Sequence, residues 1–527
     1  NDLLARSSLG YLYITHCHIR DSLSSHHLLD NSSTCDGRLL LTIPHYDVAI
    51  IGSGFSGLGM GIFLKKAGRN NFIILEKAAD IGGTWRDNNY PGAACDVPSH
   101  MYSYSFEQNP EWSRFYSGQA EILAYMKKCA NKYDLMPHFR GNSELIESRW
   151  IESKKHWQLT TGNGDQYTAR IVVSGIGGLS RPALPNVKGL DNFEGTTFHS
   201  AQWNHDYDLN GKRVAVIGTG ASAIQFVPQI APKVEKLVLF QRTPPWLVPK
   251  PDGQMHDSVK KLFKFIPSSQ RLFRASIYWQ AEGFALGFVN PKLMVVIEKL
   301  ARWHLANQVK DPVLREKLTP NYTIGCKRVL FSNNYYPALT RENVDVVAAG
   351  VKEVRAHSVI DANGVEHEVD AIICGTGFDV ADPLGPLKIY GRSGLETRET
   401  TGGMSAYLGT TLKDLPNLFM LLGPNTALGH NSIIFMIEQQ IKYVMACLDE
   451  MDRKQAKMIE VKASAEAAYN DKIQAELQKM VWSEGGCKSW YIDNETGRNF
   501  TIWPGFTWKY WMKMRKPNFK NFTFSQG

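Results

Sequence analysis

The sequence predicts an α/β fold with two Rossmann-like units and a helical insertion in the second, and three observations carry that prediction. An apolar, β-branched run ends in clustered glycines at Gly52, and the pattern returns at Gly218. Each cluster is followed by a helix-length stretch and a second short apolar run. A strand-poor, helix-rich stretch then interrupts the second unit at about 253–320. Strand, glycine turn, helix, strand is the βαβ signature of doubly wound parallel sheets.

The first unit reads Tyr46-Asp-Val-Ala-Ile-Ile-Gly52-Ser-Gly54-Phe55-Ser56-Gly57, and its second strand reads Phe72-Ile-Ile-Leu-Glu76. In Gly-x-Gly-x-x-Gly the first glycine permits the tight turn, the second admits a pyrophosphate to the backbone, and the third lets helix pack on strand. The helix N-terminus offers free N–H groups to phosphate. Glu76 ends the next strand, where an acid holds a ribose 2′-hydroxyl, with Lys77 beside it.

The second unit reads Val214-Ala-Val-Ile-Gly218-Thr219-Gly220-Ala221-Ser222-Ala223, followed by Lys236-Leu-Val-Leu-Phe-Gln-Arg242-Thr243. Ala223 is small enough for the close helix contact. Where a 2′-hydroxyl reader is acidic, Arg242 stands instead, suited to a 2′-phosphate by charge-assisted hydrogen bonds. One glutamate site and one arginine site imply FAD at the first turn and NADPH at the second.

Asp370-Ala-Ile-Ile-Cys-Gly375-Thr376-Gly377-Phe378 is a third strand-and-glycine segment, where the chain is expected to return to the first domain. The expected organisation is an arm of unknown role at 1–44 and a first FAD-binding part at 45–185. An NADPH-binding domain follows at 186–374, and a second FAD-binding part with the C-terminal tail covers 375–527. Residues 430–480 carry a helical pattern before a tryptophan-rich tail, which reads as core packing.

With 43% hydrophobic and 21% charged residues the composition is globular. A net charge of +8 without a long Lys/Arg run argues against a nucleic-acid partner, Lys260, Lys261 and Lys264 forming only a basic helix face. The most lipophilic stretch, Phe284 to Ile297, is interrupted by Asn290, Pro291 and Lys292 and reads as buried helix and loop rather than a membrane span. The eight cysteines include no Cys-x-x-Cys, so free thiols, a reducing cytoplasmic setting and no redox-active disulfide are expected. No metal site is expected, His16 and His18 lacking further ligands.

Two further segments carry a family resemblance. Residues 82–96, Gly-Gly83-Thr84-Trp85-Arg-Asp-Asn-Asn-Tyr90-Pro91-Gly92-Ala-Ala-Cys-Asp96, and 193–203, Phe193-Glu-Gly195-Thr-Thr-Phe-His199-Ser-Ala-Gln-Trp203, resemble the fingerprints of Baeyer–Villiger monooxygenases within the flavin-containing monooxygenases. The second departs from the family at Asn204, where Pro or Asp is usual. The resemblance spans about 45–515.

It implies NADPH- and O2-dependent conversion of ketones to esters or lactones through an anionic flavin C4a-peroxide, with sulfoxidation alongside. Arg328, in Cys326-Lys327-Arg328-Val, matches the family's active-site arginine, and Asp96 the carboxylate that orients it. Lys327 matches a contact to the nicotinamide nucleotide phosphate. Gly83, Thr84, Trp85, Tyr90 and Tyr102 are implied cofactor neighbours, as are Gly375, Thr376, Gly377 and, more weakly, Asp379. Asn425, in the Gly423–His430 loop, is another.

Phe193, Gly195, His199 and Trp203 are expected to couple the two domains, with His199 as linker rather than general base. Residue patterns alone leave open an N- or S-oxygenating relative and an NADPH oxidase, and they do not identify the ketone or the oligomeric state.

Overall fold

The computed structural model describes residues 34–35, 38–39, 43–380, 382, 384–401, 405–487, 489–493 and 496–526. Thr34–Cys35 and Arg38–Leu39 form an antiparallel pair in a unit separate from the body that begins at Pro44. His16, His18 and Cys17 lie outside the described residues.

The two largest sheets of the body position the cleft. In the first, His45–Ile51 is flanked by parallel Phe72–Leu75 and Gln166–Ser174, with Phe139–Arg140 beyond Phe72–Leu75. Gln166–Ser174 also pairs with Leu418–Met420 and with an antiparallel extension through His156–Thr161 and Leu145–Ile151. The strand cores Val48–Ile51 and Phe72–Leu75 are buried throughout, as expected of parallel strands covered on both faces. The helix Phe55–Lys66 packs between this sheet and the late helix Ile433–Arg453, in a core including Ile50, Leu58, Ile74, Ile441 and Val444.

The second sheet is wholly parallel, in the order Val344–Val347, Lys236–Phe240, Arg213–Ile217, Ala371–Cys374, Thr196–His199. Ala371–Cys374 is thus an inner strand of this sheet, and the chain leaves only after it. The departing segments of the two sheets run past each other. Ala183 donates its N–H to the Gly377 carbonyl at 3.0 Å, and Asp379 donates to that of Arg181 at 2.9 Å. Two antiparallel connections therefore join the lobes.

Between Lys236–Phe240 and Val344–Val347 the chain builds the helices Asp257–Phe265, Pro267–Val289, Met294–Gln308 and Pro312–Lys317. Two expectations need correction here. Phe284 to Ile297 is only half buried: Ala285, Phe288 and Met294 face the core, but Phe284, Leu286, Val289, Leu293, Val295 and Val296 are exposed. The inward side of the helix Pro267–Val289 carries polar groups beside Ile277, Ala285 and Phe288: Gln270 and Arg274 are buried against His100, Ser103 and Asn109, and Glu282 against Asn431 and Thr507.

Nor are all thiols free, because Cys326 and Cys487 form a disulfide across a separation of 161 residues. That distance leaves no trace in cysteine spacing. Cys95, Cys129, Cys374 and Cys447 are buried free thiols. No helix among the described residues is long and apolar enough to cross a membrane, and none of their His, Cys, Asp and Glu side chains cluster as a metal site.

In the tail, Trp482 stacks on Phe288 with ring centroids 5.1 Å apart, and Trp503 is buried against Tyr510. Trp490 and Trp511 stay exposed.

Candidate functional site

A cleft of about 1660 Å³ runs between the two glycine turns and gathers most of the expected residues along its wall. At the first turn Gly52 has φ +94°, and a Cβ there would stand 2.7 Å from the Gly175 carbonyl oxygen. A Cβ on Gly57 would fall 1.9 Å from the Gly52 carbonyl oxygen, so only glycine lets the helix approach. At Gly54 the nearest atom is 3.9 Å away, which leaves the backbone open to the cleft. No side chain caps the helix that starts there, so its N–H groups are available to phosphate.

Glu76 is buried at the end of its strand and shaped by three donors. Ser53 donates its N–H and hydroxyl to Oε2 at 2.9 and 2.7 Å, and Ala78 donates its N–H to Oε1 at 3.1 Å. Arg86 pairs with the same Oε1 at 3.1 Å. The carboxylate is therefore held in one orientation at the cleft wall. Phe55, Ser56, Lys77, Gly83, Thr84, Trp85 and Tyr102 line the cleft as well. Trp85 donates its indole N–H to the Tyr102 hydroxyl at 3.1 Å. Lys77 commits its ammonium to the Ser180 carbonyl at 3.0 Å, so it braces the connection between lobes.

The second turn repeats the first. Gly218 has φ +109°, and a Cβ would stand 2.4 Å from the Gly375 carbonyl oxygen, while Gly220 faces open space. Gly375 thus serves the second turn, as Gly175 serves the first. Thr376 instead donates to the Ala183 carbonyl at 2.5 Å, at the crossing of the lobes. Thr219, Ala221, Ser222, Arg242 and Thr243 also line the cleft. Lys327 joins them, its pKa lowered by burial and further by the charge of Arg242. Two cations pressed together in this way fit a dianionic phosphate, and the open glycines fit a pyrophosphate.

Arg328 faces the same cleft. Its Nε and Nη2 donate to Asp96 Oδ2 and Oδ1 at 2.7 and 2.8 Å, and Nη1 donates to the Leu428 carbonyl at 3.2 Å. The Asp96 charge raises the arginine's pKa still further above its ordinary value. Burial pushes Asp96 upward, but the Arg328 charge and hydrogen bonds outweigh it and hold the carboxyl below its usual range. The pair is thus ionised at all ordinary pH values. One face of the guanidinium system is fixed, and the cleft receives a permanent positive charge.

Other expected residues sit differently. Tyr90 lines the cleft but donates its hydroxyl to Gln225 Oε1 at 2.9 Å, on the helix Ala223–Ile230 of the second unit, and so ties the fingerprint segment across the lobes. Asn425 does not line the cleft: its amide donates to the carbonyls of Asn499 and Ile502 at 2.7 and 3.1 Å. The expectation of a cofactor contact is corrected to a brace on the C-terminal tail. Asp379 is likewise turned away, receiving the Asp382 N–H at 3.2 Å.

His199 is buried outside the cleft lining, its Nδ1 accepting the Ala201 N–H at 3.1 Å and its ring 5.9 Å from that of Phe378 on the crossing segment. Burial lowers its pKa. Trp203 packs on Phe198 and Phe226. A Cβ on Gly195 would strike the Asp370 carbonyl oxygen at 2.4 Å and the Phe193 ring at 2.5 Å.

Sequence reasoning missed Tyr491 and Trp490, which the C-terminal segment brings to the cleft. Burial raises the Tyr491 pKa to about 12, against the opposing charge of Arg328. Only the disulfide next to Arg328 hints at this placement, and it is invisible in the sequence.

Residues 49–264 match the family model described as pyridine nucleotide-disulphide oxidoreductase. The chain is 53% identical over 468 residues to a Baeyer–Villiger monooxygenase of Pseudomonas aeruginosa, covering 88% of this chain and 89% of the relative. A Baeyer–Villiger monooxygenase of Streptomyces coelicolor is 45% identical over 475 residues, with coverage of 90% and 91%. The closed crystal structure of cyclohexanone monooxygenase superposes with a TM-score of 0.84 at 28% identity, over 92% of this chain and 100% of that one. An oxidized steroid monooxygenase bound to NADP gives 0.82 at 29% identity, with the same coverage.

Proposed function

The chain belongs to the Baeyer–Villiger monooxygenases, and from that membership we propose that it uses NADPH and O2 to convert ketones to esters or lactones, with Arg328 and Asp96 at the reacting centre. The observation that carries this reading is a guanidinium held by two short bonds to Asp96 while it lines the cleft between two nucleotide turns. When bound, FAD supplies what side chains cannot, accepting a hydride from NADPH and activating O2.

The residues of the chain do the rest. The open backbone at Gly54 and the uncapped helix behind it would hold the flavin nucleotide's pyrophosphate, and Glu76 would accept from its ribose. Gly220 would do the same for NADPH, and Arg242 and Lys327 would hold its 2′-phosphate. Arg328 presents a charge that does not titrate where negative charge must develop on oxygen, and in a water-poor cleft such a preorganised group acts strongly. Asp96 fixes the plane of the guanidinium and the Leu428 carbonyl fixes its third edge, so the charge needs no rearrangement during reaction.

His199, buried and neutral at physiological pH, belongs to the joint between the lobes and abstracts no proton. We place the enzyme in the cytoplasm, where NADPH is made, with the Cys326–Cys487 bond as an exception to the usual reduced state there.

Incubating the flavin-loaded protein with NADPH, O2 and a panel of linear, cyclic and aromatic ketones tests the reading. Ester or lactone should form in proportion to NADPH consumed. Oxidation of a thioether only, or hydrogen peroxide without organic product, would replace it.

A further inference from the structure

The helical insertion carries its apolar residues on the outside. Along Pro267–Val289, Leu272, Trp279 and Leu286 recur every seven residues on one stripe and are 73%, 62% and 52% exposed. The opposite stripe, which includes Gln270, Arg274 and Ile277, is the buried one. From Leu272 to Leu286 the outward stripe is about 21 Å long at 1.5 Å per residue. Phe265 and Ile266 extend it at one end, 79% and 51% exposed, and Val296 lies beyond the other at 70%. Isolated exposed apolar residues are ordinary, but a run of this size marks a contact surface.

Charge decides which contact. Lys261, Arg271, Lys292 and Lys299 are exposed, interleaved with these apolar residues, and carry no ion pair among the described residues. The acids of the same stretch are Asp257, paired with Lys260, Glu298, paired with Arg302, and Glu282, which is buried. A two-fold contact between copies of this chain would set the free cations of one copy against those of the other. An anionic lipid surface has the complementary charge and accepts tryptophan and leucine at the headgroup boundary.

The geometry points to the outer face of the insertion as a docking surface for anionic phospholipid bilayers, on which the enzyme lies without crossing them. The inner face of the same helix reaches the site: Asn431 donates to Glu282 at 2.7 Å, and Phe288 packs under Gly429, beside the Leu428 carbonyl that holds Arg328. The docked face therefore backs directly onto the loop that shapes the cleft. The docking does not depend on the ketone reading, since it concerns adhesion and not turnover.

Flavin-loaded protein is sedimented with vesicles of phosphatidylglycerol and phosphatidylcholine in equal parts, and with phosphatidylcholine alone. Binding to the mixed vesicles only is expected, released as salt rises from about 0.1 M to about 1 M and the screening length falls from about 10 Å to about 3 Å. Each cation near an anionic surface is worth roughly a fivefold gain in partitioning. K261E combined with R271E should therefore lower it at least about 25-fold by removing two such contacts. W279S combined with L272S should weaken binding too, and turnover of a soluble ketone serves as the check that both variants are folded. Equal binding to the two vesicle types, or binding to neither, overturns the proposal. So does a stable dimer in lipid-free light scattering that W279S and L272S convert to monomer.

Discussion

Replacing Arg328 by alanine removes the permanent positive charge that Asp96 holds at the reacting centre. The guanidinium makes bonds of 2.7 and 2.8 Å to Asp96 and one of 3.2 Å to Leu428, so it is oriented before any substrate arrives. Losing a preorganised partner of this kind costs ~10²–10³-fold in rate, or about 2.7–4 kcal/mol. The loss should fall on ester formation alone, because the nucleotide turns and the Arg242–Lys327 pair are untouched.

Arg328→Lys keeps a charge but gives up the fork that matches a carboxylate, and should recover only part of the activity. The pH response adds a second reading. In the native protein Asp96 is held below the carboxylate range, so its contribution to stability is complete above about pH 4, the ordinary unfolded value, and is lost only as pH falls through the lowered folded value. Without Arg328, burial is opposed only by a backbone hydrogen bond and the charge of Lys250, so Asp96 moves upward and the variant should lose stability at a higher pH than the parent as acid is added.

The assay pairs anaerobic rapid mixing with NADPH, read as bleaching of the flavin, with chromatography of aerobic products. Bleaching should survive and ester formation collapse. Unchanged ester formation, or bleaching lost to the same degree as ester, would falsify the assignment of Arg328.

Three further outcomes follow from the same geometry. Arg242→Ala or Lys327→Ala should raise KM for NADPH about 10- to 100-fold while leaving that for NADH nearly unchanged, since a hydrogen bond to a charged group is worth ~1.5–3 kcal/mol; steady-state kinetics with both nucleotides checks this. Gly57→Ala drives a methyl group to 1.9 Å from the Gly52 carbonyl oxygen, so the purified variant should carry little flavin, measured as the ratio of visible to protein absorbance. Cys487→Ser opens a loop closed over 161 residues, whose chain-entropy contribution has an upper bound of about 5 kcal/mol. A lower melting temperature in C487S, reproduced in the parent by dithiothreitol, is expected, and an unchanged one would mean that the bond contributes nothing.

The nucleotide turns were legible because their physics is local. Gly52 and Gly218 need positive φ, Gly57 needs to lack a side chain, and Glu76 and Arg242 fall at fixed offsets from their turns. Tyr90, Gly375 and Asn425 were harder. Tyr90 and Gly375 line the cleft but also serve Gln225 and the Gly218 turn, whereas Asn425 leaves the cleft for the C-terminal tail, where acceptors from a distant element stand. Phe284 to Ile297 misled for a related reason: apolar content predicts burial only when something is present to cover it.

The sequence by itself determined a doubly wound chain with two dinucleotide turns, because strand, turn and helix N-terminus lie within about 30 residues of one another. The resemblance named Arg328 and Asp96 as partners, but only tertiary structure brings them together across 232 positions, joins Cys326 to Cys487 and turns Tyr491 to the cleft. Those encounters depend on how two sheets and an insertion are joined in space. Spacing along a chain fixes neighbours within a turn or a βαβ unit, and beyond that only the packed topology brings charges within reach.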